Sequence, residues 1–304
     1  MKKIICVFLV LCVLFLNACT GNNAGTEKNK ITVAASFYPV FIFTLNLLEG
    51  IEDLNVECMA EQNVGCLHDY TLTARDVKLL SDAEVLVING AGMEGFLEDA
   101  FQSVENLKVI DSSVDIELIC DEEHNHEEEH DDSHHHDNSH IWLSVANAKK
   151  QAENIKIGLA KEFPEYKNKI EENYSEYIKR LHVLEKERDS VLSFSKELNV
   201  ISFHGAFEYL AMDSGFNVLA TIESDEGYEP SAKELANLSN RIKKECIHGL
   251  FVDPQYSGSA AEILGREANT EIYIINPVIS GEKKLTAYED IMKENYNMIL
   301  KAVK

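Results

Sequence analysis

Histidine, aspartate and glutamate crowd into the segment from Asp121 to Leu143, which reads DEEHNHEEEHDDSHHHDNSHIWL. Imidazole nitrogens and carboxylate oxygens bind divalent metal ions, so this composition predicts a metal-attracting segment. No apolar side chain lies between Asp121 and Ser139, and we therefore expect a solvated loop with nothing to bury. The loop histidines expected to bind metal weakly are His124, His126, His130, His134, His135 and His136. His140 differs, because an apolar run with the only tryptophan follows it.

Within this segment, residues 126–130 (HEEEH) formally match the H-E-x-x-H pattern of zinc-dependent hydrolases. In those enzymes the motif lies on a helix with one buried face, which holds both imidazoles rigidly. The neighbours here are Asp, Glu, His, Asn and Ser, which offer no face to bury. We interpret the match as an accident of composition and predict a binding protein, not an enzyme.

Two other histidines lie where predicted strands end. His204 closes the apolar run that starts at Asn199, and His68 lies in the loop after the strand predicted at 54–59. Open α/β sheets bind ligands at the carboxyl ends of their strands, so His68, His140 and His204 are predicted to share one metal ion in a cleft. Three neutral imidazoles favour zinc over manganese, which prefers more carboxylate oxygens. The fourth donor could be water, a carboxylate or a loop imidazole, and the sequence does not choose among them.

Short apolar runs alternate with helical patterns, which predicts an α/β fold with two open, mostly parallel sheets, one in each of two lobes. The runs predicted as strands lie at 31–37, 54–59, 84–89, 107–110, 199–204, 217–222, 250–252 and 271–275. One of the intervening helices is predicted around Glu94 to Gln102. The charged stretch 165–196 has apolar residues three and four apart, which is typical of a long helix. It predicts a rigid helix joining the lobes, with a coiled-coil arm as the alternative.

The first residues predict export. MKK followed by IICVFLVLCVLFL is typical of a signal peptide, and LNAC at 16–19 resembles a bacterial lipobox, with a short spanning anchor as the alternative. We therefore expect cleavage before Cys19, lipidation of its thiol, and a protein anchored at the extracytoplasmic face of the cell membrane through a flexible tether. The predicted domains are the signal peptide 1–18, lipidated Cys and tether 19–30, first lobe 31–164 with acidic loop 121–139, linking helix 165–197 and second lobe 198–304.

The formal charge of -24 disfavours nucleic acid and anionic surfaces as partners and favours cations. We expect a monomer. Outside the leader and the predicted lipid site, the cysteines are Cys58, Cys66, Cys120 and Cys246. Spacing alone leaves a Cys58–Cys66 bridge and buried thiols equally open.

Several motifs together resemble one protein family. GCLHDYTLTARDV at 65–77 and NGAGME at 89–94 look like the solute-binding subunit of bacterial zinc ABC importers, the ZnuA/AdcA type. HIWLS at 140–144 and FHGAFEYL at 203–210 match that family's second and third histidine motifs, and the similarity runs to the last strand. The resemblance implies two lobes around a rigid helix, Zn²⁺ held in the cleft by His68, His140 and His204, and delivery to an ABC permease membrane subunit.

Two departures from the family pattern bear on the metal. Manganese-type relatives have a carboxylate at the position of His204. Many relatives have an acidic fourth ligand after the last strand, where this chain reads PVIS at 277–280, and Leu67 replaces a residue that is acidic in some zinc members. Water is therefore the expected fourth donor. A manganese-binding homologue and a metal-binding surface adhesin are the alternative interpretations, and a zinc hydrolase is the weakest.

Overall fold

Parallel strands β1 to β4 form the first sheet of the computed structural model, in the order β2-β1-β3-β4. The strands are β1 (Ile31–Ala35), β2 (Leu54–Cys58), β3 (Ala83–Ile88) and β4 (Lys108–Asp111). The described residues are 30–60, 67, 70–97, 107–120, 137–222, 230–255 and 259–304. The apolar centres of β1 and β3 are fully buried, as expected for strands covered on both faces.

Helices α1 (Tyr38–Leu47) and α2 (Ala74–Asp82) belong to this lobe. Thr73 begins α2 with a capping box, in which its hydroxyl accepts the Asp76 N–H and the Asp76 carboxylate accepts the Thr73 N–H. Of the helix predicted around Glu94 to Gln102, the described residues include a short 3-10 turn, Gly95–Leu97, and the remainder lies within residues 98–106, outside the described part. The Glu94 side chain folds back onto the backbone N–H groups of Asn89 and Gly90 in the preceding turn.

A two-stranded antiparallel ribbon, β5 (Ile119–Cys120) and β6 (Asp137–Asn138), brackets the acidic segment. Residues 121–136, with the six loop histidines, lie outside the described residues. Asn138 and Ser139 are buried, so the expectation of a solvated loop up to Ser139 is wrong at that end. Polar residues can be buried when their groups are hydrogen-bonded, and Asn138 makes several such bonds.

A 3-10 turn, Ile141–Leu143, leads into α3 (Val145–Glu162), and the Ser144 hydroxyl caps this helix by accepting the Asn147 N–H. The 29-residue helix α4 (Lys167–Ser195) follows another 3-10 turn at Pro164–Tyr166. Its apolar stripe, which includes Tyr177 and Leu181, is buried against helices that precede and helices that follow it in the chain. This packing excludes a free coiled-coil arm. The predicted long helix between the lobes is confirmed.

The second sheet is also parallel, in the order β10-β9-β7-β8. Its strands are β7 (Asn199–Ser202), β8 (Asn217–Thr221), β9 (Gly249–Val252) and β10 (Glu271–Ile274). Its helices are α5 (Phe207–Ser214), α6 (Ala232–Lys244), α7 (Ser259–Ala268) and α8 (Ala287–Ala302). The predicted fold class, two open parallel-sheet α/β lobes joined by one long helix, is confirmed.

One large apolar cluster joins the two sheets. Val33 and Val85 of the first sheet and Phe251 of the second share it with helices α1, α3, α4 and α8. Alternate residues of the strands face the opposite side of each sheet, where a smaller apolar cluster lies. Leu86 belongs to the cluster on the first sheet and Leu250 to the cluster on the second. Residues from Ile31 to Lys304 accordingly form one compact unit.

Residues 1–29 lie outside the described part of the chain, so the signal peptide and Cys19 stay predictions. Within the described ranges, no helix has the length and apolarity needed to cross a membrane. Cys58 is buried and its Sγ lies 3.2 Å from the Ala60 carbonyl oxygen, which leaves both alternatives for this cysteine open. Cys66 is not among the described residues.

Candidate metal centre

His204 lies two residues past Ser202, the last residue of β7. The Ser202 hydroxyl accepts the backbone N–H of His204 at 3.1 Å and donates to its carbonyl oxygen at 2.6 Å. Serine forms such local turns readily, because its short side chain reaches the backbone two residues on. The turn holds the imidazole at the carboxyl end of the sheet, where the sequence predicted it.

The His204 ring is oriented by a carboxylate from the neighbouring strand. Its Nδ1 lies 3.1 Å from Oδ2 of Asp253, the residue that follows β9. Oδ1 of Asp253 accepts the backbone N–H of Gln255 at 2.7 Å, so both oxygens are held. A carboxylate accepts hydrogen bonds, so Nδ1 of His204 carries the proton and Nε2 is the nitrogen that binds a metal.

His140 lies at the start of the 3-10 turn Ile141–Leu143 and is buried. The Asn138 Oδ1 atom accepts the backbone N–H of His140 at 3.0 Å and lies 3.0 Å from Nδ1 of the same ring. This ring is therefore also engaged through Nδ1, which again assigns Nε2 to metal binding.

The two rings meet although 64 positions separate them. The centroids of His140 and His204 lie 5.1 Å apart with their planes 82° to each other. Trp142 packs against the first ring at 5.2 Å between centroids, and Phe207 against the second at 5.9 Å. With Zn–N bonds of about 2.0–2.1 Å, two imidazoles on one tetrahedral zinc have centroids about 5 Å apart. The observed spacing matches a shared ion.

The structure does not place every predicted ligand. His68 lies outside the described residues, and so do the six loop histidines. Within the described ranges, no three His, Cys, Asp or Glu side chains are grouped to hold a metal. The pair His140 and His204 is thus brought together, and the complete trio stays a prediction.

A buried polar network lies behind His140. The carbonyl oxygen of Ser139 accepts from Nδ2 of Asn89 at 2.9 Å, and Oδ1 of Asn89 accepts from Nε2 of Gln151 at 2.9 Å. Gln151 also donates to the Ser112 hydroxyl at 2.9 Å. These bonds tie the His140 turn to the ends of β3 and β4, which fixes its position against the first sheet.

The same network contains a buried carboxyl group. Oε1 of Glu94 accepts from the Ser36 hydroxyl and from the Asn89 N–H, both at 2.7 Å, and Oε2 accepts from the Gly90 N–H at 3.0 Å. Burial raises the pKa of Glu94 to about 7, although the three donors oppose that rise.

Hydrogen bonds also tie the His140 turn to the second lobe. Nε1 of Trp142 donates to the Pro277 carbonyl oxygen at 2.8 Å. The first N–H of α3, from Val145, donates to Oδ2 of Asp213 at 3.0 Å, and Asp213 is the seventh residue of α5. Burial raises the pKa of Asp213, and the Arg188 guanidinium beside it acts in the opposite direction. The turn is therefore held from both lobes.

Sequence reasoning missed Asn138 and Asp253. The sequence pattern could have indicated Asp253, because it is a polar residue directly after a buried strand. His204 stands in a similar place, two residues after the end of its strand. Asn138 had none, because it lies in a continuous polar run where composition argues for solvent exposure.

Two parallel-sheet lobes on one long helix, with histidines from both lobes converging, are typical of solute-binding proteins that bind a metal ion. Residues 33–302 match the family described as "Zinc-uptake complex component A periplasmic" (ZnuA), and the chain belongs to this family. The prediction of a binding protein and not an enzyme is confirmed by this membership.

Known relatives agree with the family. The chain is 31% identical to the zinc-binding lipoprotein AdcA of Streptococcus pneumoniae over 99% of its own length but only 59% of that protein's. It is 30% identical to the high-affinity zinc uptake system protein ZnuA of Bacillus subtilis, over 96% of this chain and 94% of that one. The Zn(II)-bound ZnuA-like domain of S. pneumoniae AdcA is similar in structure, with a TM-score of 0.75 and 27% identity over 90% of this chain and 99% of that one.

Proposed function

We propose that the protein captures Zn²⁺ between its two lobes and delivers it to the membrane subunit of an ABC permease. The observation that carries this proposal is the 5.1 Å approach of the His140 and His204 rings, each hydrogen-bonded through Nδ1. The spacing of the two ring centroids matches that of two imidazoles on one tetrahedral zinc ion. Relatives named as zinc-binding and zinc-uptake proteins support the same cargo.

The proposed ligands are His68, His140 and His204, with water as the fourth donor. Imidazole suits zinc better than manganese, which prefers oxygen ligands, so the histidine pair favours zinc. The histidines between 124 and 136 are proposed to bind further ions weakly.

The setting of the protein is also part of the proposal. Cys19 is proposed to carry the lipid that anchors a monomer at the extracytoplasmic face of the membrane. The name of the S. pneumoniae relative, a lipoprotein, supports this anchor. The domain boundaries at 18, 30, 164 and 197 belong to the same proposal, and α4 lies within the range proposed for the linking helix.

Zinc titration of the metal-free protein against a competing chelator tests the site. His204→Ala removes one ligand, and we expect its affinity to fall by more than the about 10–100-fold typical of losing a ligand's hydrogen-bond partner. His182→Ala is the matched control, because His182 is exposed on α4 and pairs with Glu185 away from the rings. A variant lacking residues 122–136 is expected to keep the tight binding event. Unchanged zinc affinity in His204→Ala would refute the assignment.

A further inference from the structure

The buried side chain of Asn138 contacts both halves of the candidate site. Its Oδ1 accepts the backbone N–H of His140 and lies 3.0 Å from Nδ1 of that ring. Its Nδ2 donates to the Gly205 carbonyl oxygen and to Oε2 of Glu208, both at 3.0 Å. Gly205 directly follows His204, so one amide lies between the two segments that carry the histidines.

Two backbone groups determine which end of this amide is oxygen. The N–H of His140 can only donate and the carbonyl of Gly205 can only accept, so the oxygen faces His140 and the NH₂ faces Gly205. Nδ1 of His140 therefore faces an acceptor and must carry the hydrogen. A neutral imidazole has two tautomers, and this contact selects the one that binds metal through Nε2.

The backbone of Asn138 is held from the second lobe as well. Its carbonyl oxygen accepts from the Tyr209 hydroxyl at 2.8 Å, and the same hydroxyl accepts the Ile119 N–H at 3.0 Å. Tyr209 is fully buried in α5, the helix that follows His204. The second lobe thus fixes Asn138, and Asn138 in turn fixes the ring that the first lobe supplies.

We propose that Asn138 is a positioning residue for metal binding, which holds His140 in its ligating tautomer and couples it to the His204 segment. The effect on zinc affinity rests on the proposed function. The effect on the tautomer does not, because it concerns the metal-free protein. These two readouts can therefore fail separately.

The experiment compares Asn138→Ala and Asn138→Asp in the full chain. Zinc affinity is measured by chelator competition, and the His140 tautomer by proton–nitrogen NMR of the metal-free protein. Asn138→Ala removes both contacts, so affinity is expected to fall about 10–100-fold and His140 to lose its single tautomer. Asn138→Asp keeps the oxygen that faces Nδ1 of His140, so the tautomer is expected to survive. The second oxygen of the new aspartate then faces the Gly205 carbonyl oxygen and the Glu208 carboxylate, which repel it. Adding Glu208→Gln then supplies a donor and is expected to recover part of the affinity.

Asn173→Ala is the matched control. Asn173 is equally buried and donates to the carbonyl oxygens of Leu47 and Glu49, away from the histidines. Its loss is expected to lower the thermal midpoint while zinc affinity and the His140 tautomer stay at wild-type values.

Wild-type zinc affinity together with a single unchanged His140 tautomer in Asn138→Ala would overturn the inference. Should that variant not fold, Asn138→Asp decides: a retained tautomer supports the inference, and a mixture of tautomers overturns it. A wild-type protein that binds no zinc would overturn the proposed function, and the tautomer comparison would still decide the role of Asn138.

Discussion

The two histidines that meet in the candidate site share one local device and differ in what holds their rings. Two residues before each histidine, a side-chain oxygen, from Asn138 or Ser202, accepts the histidine's backbone N–H. The His140 ring uses that same side chain, whereas the His204 ring uses a separate carboxylate, Asp253. At His140 one residue therefore serves backbone and ring, and at His204 the two contacts can be removed independently.

The difference also concerns where negative charge lies. The second lobe places a carboxylate directly on its imidazole. The first lobe places an amide there, and its buried carboxyl, Glu94, accepts the N–H of Asn89, which donates to the Ser139 carbonyl oxygen, one residue before His140. Burying a charge is costly unless it is paired or well hydrogen-bonded, and the raised pKa of Glu94 reflects that cost.

The largest expected effect is a pH dependence of the free energy of unfolding that arises from the buried Glu94 carboxyl. Below its ordinary pKa of 4.5, Glu94 is neutral in the folded and unfolded chains, and between 4.5 and about 7 only the unfolded chain ionises. The folded state then binds the extra proton, so the contribution of Glu94 to the free energy of unfolding falls by about 3 kcal/mol as pH rises across this window. Glutamine does not titrate, so the stability difference between wild type and Glu94→Gln is expected to shift by that amount in favour of the variant.

Urea unfolding of both metal-free proteins at pH 4 and pH 8 measures this shift. Because every other titrating group is shared, the subtraction isolates position 94. Parallel stability curves for the two proteins would show that the carboxyl ionises normally in the folded state, and the contrast in charge between the lobes would disappear.

The second largest effect is expected from the opposite substitution, aspartate to asparagine, at the residue that contacts the His204 ring. In Asp253→Asn, the Gln255 N–H still requires an acceptor, which holds the amide oxygen and turns the NH₂ toward His204. Nδ1 of His204 must then accept, so the proton moves to Nε2 and blocks ligation. Zinc affinity is expected to fall about 10–100-fold, or about 1.4–2.8 kcal/mol.

Chelator competition and the His204 nitrogen shifts report this change together. The reciprocal exchange Asn138→Asp serves as the comparison, because it keeps an acceptor on its ring. If Asp253→Asn bound zinc as tightly as wild type, hydrogen bonding at Nδ1 would not control ligation on this side.

Much of the fold follows from the sequence because burial and capping are local signals. Continuous apolar runs predicted the strands of the two four-stranded sheets, and residue types that favour helix N-caps occupy that position at Thr73, Ser144 and Ser231. The contacts of Glu94 were not predictable in this way, because its carboxyl oxygens accept the N–H groups of Asn89 and Gly90, and helical periodicity does not report such contacts.

The site was predictable only in part for a related reason. His204 and His140 stand at strand and helix boundaries, where topology brings ligands together. Asn138 stands in a run whose composition argues for solvent, and it is buried only because Gly205, Glu208 and Tyr209 satisfy its polar groups. Those partners lie about seventy residues away in the chain, beyond the reach of any local pattern.

The smallest expected effect separates backbone from ring at His204. Ser202→Ala removes the oxygen that accepts the His204 N–H and the hydroxyl that donates to its carbonyl. Loss of such bonds costs about 1 kcal/mol of stability each, so the urea midpoint is expected to fall modestly. Zinc affinity is expected to change far less than in Asp253→Asn, because Asp253 still selects the His204 tautomer. A loss of affinity as large as that of Asp253→Asn would mean that backbone position, and not ring orientation, limits binding at this histidine.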